Sequence, residues 1–387
     1  MNLDAALHDA TAIGGLPGVI GGVTTDDATV YLGAAGPRAA GTDEPIATDA
    51  VLSLFSITKS LTATLAMQLV EDGSLDLDAP AADHEPRLAD IGVLVGFDDD
   101  GTPRLRPPRT PATTRQLLTH TAGFAYDFFD EQCARAVAGL GLPDVATATF
   151  ASLRAPLMFH PGSRWEYGTG LDWTGLVIEG VTGRRLGDVM TERLLVPLGM
   201  HDTGFRRSEA MLARSAITHI RTPDGGLKAL RAANQPDAPE LDMGGQGLFS
   251  TATDLLAFIR LWLRDGRTDN GEQLLRPETV AMAVRNQLGT LEVTPLPGVN
   301  PRKTNDVEFL PGVRKGWNLI AMTNESATPT GRSAGAMGWA GLANSYFWID
   351  PVRKVGGVWA TQLFPFADQV AISAFFNFER AVYSSLP

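Results

Sequence analysis

The stretch Leu54-Phe55-Ser56-Ile57-Thr58-Lys59-Ser60-Leu61 opens a long apolar segment, and it decides how the chain folds around a candidate nucleophile. Apolar residues recur at every fourth position of this segment: Ile57, Leu61, Leu65 and Leu69. The period predicts a helix over residues 54–72, closed by Gly73, with one stripe buried in the core. Ser56 would then lie at the helix N-terminus, where unpaired amides and the helix dipole stabilise an alkoxide or an oxyanion.

A serine hydroxyl becomes a good nucleophile only when a neighbouring group takes its proton. Lys59 follows Ser56 by one helical turn, so both side chains project from the same face. The alternative is that Ser56 caps the helix and Lys59 is a solvated surface charge. Fifteen serines and five lysines in 387 residues give about 0.2 such pairs by chance, so the pair needs partners elsewhere in the chain.

The composition is that of an ordinary soluble enzyme, with 44% hydrophobic and 20% charged residues. Its 387 residues suffice for one large domain with an insertion, or for two domains that share a cleft. A net charge of −12 argues against nucleic acid or an anionic membrane as a partner. No apolar run is long enough to span a membrane, and the N-terminus has no signal-peptide pattern. The lone Cys133, which we expect to be buried, excludes internal disulfides and favours the cytoplasm.

The ends of the chain predict a sheet and the middle predicts helices. Two hairpins are expected, one from residues 18–22 and 28–33 and one from residues 345–349 and 357–361. Besides 54–72, helices are expected at residues 114–118, 171–181 and 253–263. Residues 372–378 fit either a further strand or the start of a closing helix. Segments rich in Pro and Gly are predicted to be long loops at residues 98–111, 222–247 and 296–316.

Three other candidate sites have weaker support in the sequence than Ser56. Gly331-Arg332-Ser333-Ala334-Gly335 matches the nucleophile elbow of α/β-hydrolases, but a loop-like segment precedes it and no histidine follows it, as the triad order requires. A metal site is not indicated, because the six histidines do not show the spacing of metal ligands, such as H-E-x-x-H; they are His8, His84, His120, His160, His201 and His219. Lys303-Thr304-Asn305 resembles part of a K-T-G motif but lies in a Pro-rich segment, so we expect Lys303 to be solvated. No metal and no cofactor are expected.

Tyr167 is the candidate partner of Ser56. It lies in residues 160–170, a turn that leads into the helix predicted at 171–181. A tyrosine ionises near pH 10, and a neighbouring lysine ammonium would stabilise its phenolate, which could then act as a general base near neutral pH. Taken alone, such a segment more often holds a tyrosine that only packs at a loop–helix junction.

Taken together, these motifs resemble those of the serine β-lactamase and penicillin-binding-protein superfamily, in particular class C β-lactamases and family VIII carboxylesterases. Ser56-Ile57-Thr58-Lys59 resembles the S-x-x-K motif and Tyr167-Gly168-Thr169 the Y-x-N motif. Trp339-Ala340-Gly341 resembles the W-x-G that replaces K-T-G in the esterases. Supporting matches run through residues 117–123, 197–200 and 244–251, so the resemblance covers most of the chain.

The resemblance implies an α+β fold, with an antiparallel sheet flanked by helices and an adjoining all-helical region. Residues 1–80 and 205–387 would form the sheet domain and residues 81–204 the helical domain, with the active site between them. The nucleophile would be Ser56, and its proton would pass to Lys59 and Tyr167.

The resemblance also implies the groups that surround the substrate. The oxyanion hole would consist of the backbone N–H groups of Ser56 and of Leu342, the residue after Gly341. Trp339 and Tyr126 would line the substrate pocket.

Two departures from the family pattern indicate the substrate. Thr169 stands where β-lactamases usually have Asn, and Trp339 replaces the lysine that pairs with the carboxylate of the drug. A neutral indole cannot form that charge-assisted contact, so the site favours neutral esters. We therefore expect a serine hydrolase that cleaves short-chain carboxylic esters through an acyl-enzyme on Ser56, with a small-molecule ester as its partner. The alternatives are an acyltransferase or transesterase, a β-lactamase or amide hydrolase of the same superfamily, and a non-catalytic penicillin-recognising binding protein.

Overall fold

The computed structural model describes residues 2–13, 15–230, 236 and 238–386. The helices in these ranges are α1 Leu3–Ala12, α2 Thr58–Glu71, α3 Thr114–Leu118, α4 Glu131–Gly139, α5 Gly170–Thr182, α6 Leu186–Met190, α7 Glu209–Ala213, α8 Ala252–Leu263, α9 Pro277–Ala283 and α10 Gln369–Ser385. The strands are β1 Val19–Thr25, β2 Thr29–Ala35, β3 Leu52–Ser53, β4 Val93–Phe97, β5 Pro103–Arg106, β6 His219–Arg221, β7 Leu227–Ala229, β8 Phe249–Ser250, β9 Lys315–Trp317, β10 Met322–Asn324, β11 Met337–Gly341, β12 Ser345–Asp350, β13 Val355–Ala360 and β14 Leu363–Phe364.

Both ends of the chain contribute to one antiparallel sheet, as the sequence predicted. Its strand order within the described residues is β2-β1-β13-β12-β11-β10-β9. β1 pairs with β13 from Ile20 opposite Ala360 to Thr25 opposite Val355, so the two predicted hairpins lie side by side. Each hairpin is confirmed, with strand limits that differ from the prediction by at most three residues.

Helices cover both faces of this sheet. A side chain at Gly21 would meet Phe378 of α10, whereas one at Gly22 would meet Leu256 of α8, so α10 and α8 lie on opposite faces. Phe375 of α10 also stacks on Tyr346 of β12, with ring centroids 4.5 Å apart. Because both faces are covered, β11, β12 and β13 are buried along their whole length. The helical reading of residues 372–378 is confirmed, since they lie inside α10.

Beside the sheet, α5 packs against α2 and α3. The predicted bounds of α3 are confirmed, and α5 ends as predicted at Gly183, whose φ of +66° is the left-handed cap that favours glycine. None of the helices in the described ranges has the length and apolar content needed to cross a membrane. The division at residues 81 and 204 remains a prediction.

The region predicted to be all-helical, residues 81–204, contains a β-hairpin, so that prediction was wrong. β4 and β5 pair as an antiparallel hairpin within it, and they include part of the segment 98–111 that was predicted to be a loop. The two strands have only five and four residues, too few to show a clear alternation of apolar and polar side chains.

The other two predicted loops are largely irregular where described. β7 falls within 222–247, part of which lies outside the described residues. The segment 296–316 contains an isolated pairing of Leu296 with Val307 and runs into β9.

Candidate active site

Ser56 lies in a single 3-10 turn, Phe55–Ile57, that leads directly into α2. Phe55 has a φ of +46°, a left-handed conformation that costs a non-glycine residue about 1–3 kcal/mol. Its ring packs edge-on against Phe364, with centroids 5.7 Å apart, which helps to hold it. The α-helix therefore begins at Thr58 rather than at residue 54, because Phe55 interrupts it, and Ser56 stands on a tight turn at its N-terminal end.

Lys59 is the centre of the site. Its Nζ lies 3.1 Å from Oγ of Ser56, 2.9 Å from Oη of Tyr126 and 2.8 Å from the carbonyl oxygen of Gly245. Only 2% of the residue is exposed. Burial lowers the pKa of Lys59 to about 7, against the opposing attraction of Asp172. Near neutral pH, a large fraction of Lys59 is thus a neutral amine in direct contact with the nucleophile.

Tyr126 was predicted to line the substrate pocket, and it does line the cavity at Ser56. It also contacts Lys59 through its hydroxyl, which lies 3.5 Å from Oδ2 of Asp172 as well. Its ring centroid is 5.1 Å from the lysine Nζ. Tyr126 therefore lies against Lys59, the candidate base, a contact that the sequence did not indicate.

Tyr167 lies beside Ser56, with which its hydroxyl forms a hydrogen bond. The indole Nε1 of Trp339 donates a second hydrogen bond to this hydroxyl over 2.9 Å. Burial raises the pKa of Tyr167, and the hydrogen bonds with Ser56 and Trp339 only partly offset that rise. The expected phenolate is therefore not the resting state, because removal from water penalises its charge more than its neighbours stabilise it. The phenol stays protonated, and Lys59 is the group that titrates near neutrality.

Asp172 was missed by the sequence analysis. It is 2% exposed, and Oδ1 accepts the N–H of Gly245 over 2.8 Å, which links α5 to the segment that contacts Lys59. Burial raises the pKa of this carboxyl, while Lys59 opposes the shift. A signal was present, since Asp172 is the one charged residue in the buried run 170–178 of α5.

The predicted oxyanion hole lies where β11 approaches the nucleophile turn. A Cβ on Gly341 would come within 2.3 Å of the carbonyl oxygen of Leu54, so only glycine permits this approach. Leu342 follows directly and lines the same cavity as Ser56. Its backbone N–H donates to no group in the part of the chain that the structure describes, which leaves it available to a substrate oxygen.

The cavity at Ser56, which we call the inner chamber, measures about 380 Å³, part of it open to solvent. Its walls are mostly aromatic and apolar: Phe55, Tyr126, Phe128, Phe129, Tyr167, Leu296, Trp339, Ala340, Leu342 and Phe366, with Ser56 and Gln246. A second cavity of about 630 Å³, the outer cleft, shares Phe55, Phe128, Gln246 and Leu342 with it. The four shared wall residues place the outer cleft next to the inner chamber.

Lys303 lines the outer cleft and is not solvated as predicted. Its Nζ pairs with Oδ2 of Asp144 over 2.5 Å and lies 5.2 Å from the ring centroid of Phe128. The next residue, Thr304, is fully buried because the segment pairs with Phe366. Of the K-T-G-like stretch, Lys303 is thus part of the wall of the cleft.

The rival sites do not assemble. The segment 331–335 connects β10 to β11 and is not followed by a helix, as an elbow would be. Cys133 is buried as expected, and burial raises the pKa of its thiol. His120 is also buried, which lowers its pKa, and its Nδ1 accepts the N–H of Gly168. Across the described ranges, no group of three or more metal-ligating side chains gathers.

Known proteins resemble this chain over most of its length. The Beta-lactamase family model matches residues 3–379. A lovastatin esterase from Penicillium rubens is 36% identical over 270 residues, which are 67% of this chain and 66% of that protein. A monacolin J acid methylbutanoyltransferase from Aspergillus terreus is 31% identical over 357 residues, 88% of this chain and 83% of that protein. A mutant of simvastatin synthase from Aspergillus terreus superposes with a TM-score of 0.86 at 30% identity, over 99% of this chain and 96% of its own. With its nucleophile turn, buried lysine and glycine-ended strand in the predicted order, the chain belongs to the Beta-lactamase family.

Proposed function

We propose that this protein is a serine hydrolase that cleaves short-chain carboxylic esters through an acyl-enzyme on Ser56. The contact of 3.1 Å between Nζ of Lys59 and Oγ of Ser56 carries the proposal. A lysine whose pKa is about 7 supplies a base at neutral pH, which an exposed lysine does not.

Acylation begins when Oγ of Ser56 attacks the ester carbonyl and Lys59 takes the serine proton. The N–H groups of Ser56 and Leu342 stabilise the oxyanion of the tetrahedral intermediate. When the intermediate collapses, the C–O bond to the alcohol breaks, and Tyr167 gives its proton to the departing alkoxide. Tyr167 regains a proton from the Lys59 ammonium, so both groups return to their neutral forms.

Deacylation repeats these steps with water in place of the alcohol. Water attacks the acyl carbonyl as its proton passes to the pair of Tyr167 and Lys59. The bond between the acyl carbon and Oγ then breaks, and Ser56 recovers its proton from Lys59.

The chamber supports a neutral, short acyl group. Trp339 presents an indole where a β-lactamase would present a lysine, and the neighbouring walls are aromatic. A β-lactam carboxylate would find no cation among the side chains that line the inner chamber, so we expect weak β-lactam turnover at most. The sequence identity of 36% with a protein named as a lovastatin esterase supports ester cleavage.

Acyl transfer to an alcohol is the second candidate function. The outer cleft, which shares four wall residues with the inner chamber, offers space for an acceptor larger than water. One relative is named as a methylbutanoyltransferase. Hydrolysis of an ester in the presence of a bulky alcohol separates the two activities, because transfer yields a new ester and hydrolysis yields only the acid.

The direct test is hydrolysis of p-nitrophenyl butyrate by the wild type, Ser56→Ala and Ser333→Ala. Ser333, from the rival motif, is the matched control because it lies outside the inner chamber. We expect Ser56→Ala to lose at least 10³-fold in kcat, as loss of a nucleophile does, and Ser333→Ala to keep wild-type activity. Full activity in Ser56→Ala would refute the proposal. A binding protein without catalysis would show no turnover in any of the three.

A further inference from the structure

A second apolar cavity lies directly behind the inner chamber. It measures about 460 Å³, part of it open to solvent, and lies between strands β10 to β12 and α10. The walls include Phe309, Leu310, Phe347, Ile372, Phe375 and Phe376. We call it the rear cavity, and none of the steps proposed above uses it.

Two aromatic side chains separate the rear cavity from the inner chamber. Trp339 lines both spaces. Phe309 lines the rear cavity, and its ring centroid lies 4.8 Å from that of Trp339 and 6.1 Å from that of Phe366, another wall of the inner chamber. Trp339, with Phe309 packed against it from the rear, therefore forms the partition between the nucleophile's chamber and the space behind it.

We propose that Phe309 sets the limit on acyl chain length, and that the rear cavity receives the tail of a longer unbranched acyl chain when Phe309 is removed. This inference rests on the proposed esterase function. Phe309 is assigned a role in specificity and not in catalysis. Its ring packs against Trp339 and Phe366, which are two walls of the chamber, but it does not itself line the chamber around Ser56.

The chemistry of the rear cavity suits an uncharged hydrocarbon tail. Arg332 lies at its wall, but Nε and Nη2 of this guanidinium both bind the carboxylate of Glu379 over 2.6 Å, so its charge is neutralised. Glu308 is half exposed and lies 3.7 Å from Nζ of Lys315, which places its charge at the solvent side. The remaining walls are apolar, and each methylene buried there would gain the hydrophobic free energy of transfer from water.

Phe309 is the better of the two partition residues to change. Trp339 donates a hydrogen bond to Tyr167, so its loss would also damage catalysis. Phe309 lies outside the strands and the isolated pairings of the described chain, so truncation of its side chain removes no strand pairing.

The test compares p-nitrophenyl esters from acetate to decanoate in four proteins: wild type, Phe309→Ala, Ile372→Phe and the double variant. We expect Phe309→Ala to keep butyrate turnover and to raise the octanoate-to-butyrate ratio of kcat/KM by at least tenfold. Each further methylene buried should contribute on the order of fourfold. Ile372→Phe fills the rear cavity from α10, so alone it should leave the wild-type profile unchanged, and in the double variant it should cancel the gain.

Two results would overturn the inference. One is an unchanged ratio in a Phe309→Ala protein that is folded by circular dichroism and active on butyrate; Phe309→Leu gives the same comparison if the alanine variant does not fold. The other is a gain that survives in the double variant, which would put the tail elsewhere. Absence of ester hydrolysis in the wild type would instead refute the proposed function, so the two failures are distinguishable.

Discussion

At the scale of a single residue, we expect the charge of Lys59 to control the proposed activity. Its neutral form is the one that can take the Ser56 proton, and the neutral fraction rises as the pH passes upward through a pKa of about 7. We predict that kcat/KM for a neutral ester increases about tenfold per pH unit below pH 7 and levels off above it. Stopped-flow rates from pH 5 to 9 would measure this.

Lys59→Arg is the control for that profile. A guanidinium stays protonated in proteins and cannot serve as a base, so we expect this variant to be inactive at every pH tested. A wild-type profile that is flat between pH 5 and 8 would mean that Lys59 is not the titrating base.

Trp339 has two roles in the proposed site. Its ring forms part of the wall of the inner chamber, and its indole N–H holds the hydroxyl of Tyr167 in position. Trp339→Phe keeps an aromatic wall and removes one hydrogen bond, worth about 1 kcal/mol, so we predict a kcat about fivefold lower. Trp262→Phe, on α8, is a matched control, because its Nε1 has no partner in the described part of the chain. Equal kcat values in the two variants would argue against this role for Trp339.

At the scale of elements, the close approach of β11 to the nucleophile turn depends on Gly341. We predict that Gly341→Ala lowers kcat on the order of 10²-fold, because its methyl group would move Leu342 away from the position of the oxyanion. Gly204→Ala is the control, since its Cβ would meet nothing closer than 3.4 Å. If Gly341→Ala retained full turnover, the N–H of Leu342 would not be part of the oxyanion hole.

Elements whose signals are local could be predicted from the sequence. The apolar stripe of α2 and the glycine that closes α5 each lie within one stretch of chain, and both were predicted, although α2 is buried on every face from Thr58 to Leu69 and not along one stripe alone. Relations between distant residues could not: Tyr126 is 67 positions from Lys59, and Asp172 is 73 positions from Gly245. The protonation of Tyr167 was also missed, because it depends on burial by walls that come from six other regions of the chain.

At the scale of the whole molecule, α10 is held to the sheet by a buried ion pair. Arg332 and Glu379 are 5% and 0% exposed at their side chains, and Thr330 donates a further hydrogen bond to Glu379. We predict that Glu379→Gln lowers the free energy of unfolding by about 3–5 kcal/mol, because the guanidinium stays buried without its counter-ion. Arg380→Ala, one position further along and exposed, should change it by less than about 0.5 kcal/mol. Urea denaturation of both variants, followed by circular dichroism, measures the difference.

The pairing of β1 with β13 has a consequence for biosynthesis. When translation has reached residue 330, Ser56, Lys59 and Tyr167 are already in the exit tunnel of the ribosome or beyond it, but β11, β12 and β13 have not yet been synthesised. Until they appear, the nascent chain has no partner for the inner edge of β1 and no glycine-ended strand beside the nucleophile. One edge of the apolar strand β1 therefore stays unpaired until β13 has been synthesised. An unpaired apolar edge promotes aggregation, so this is a segment that a chaperone would need to shield.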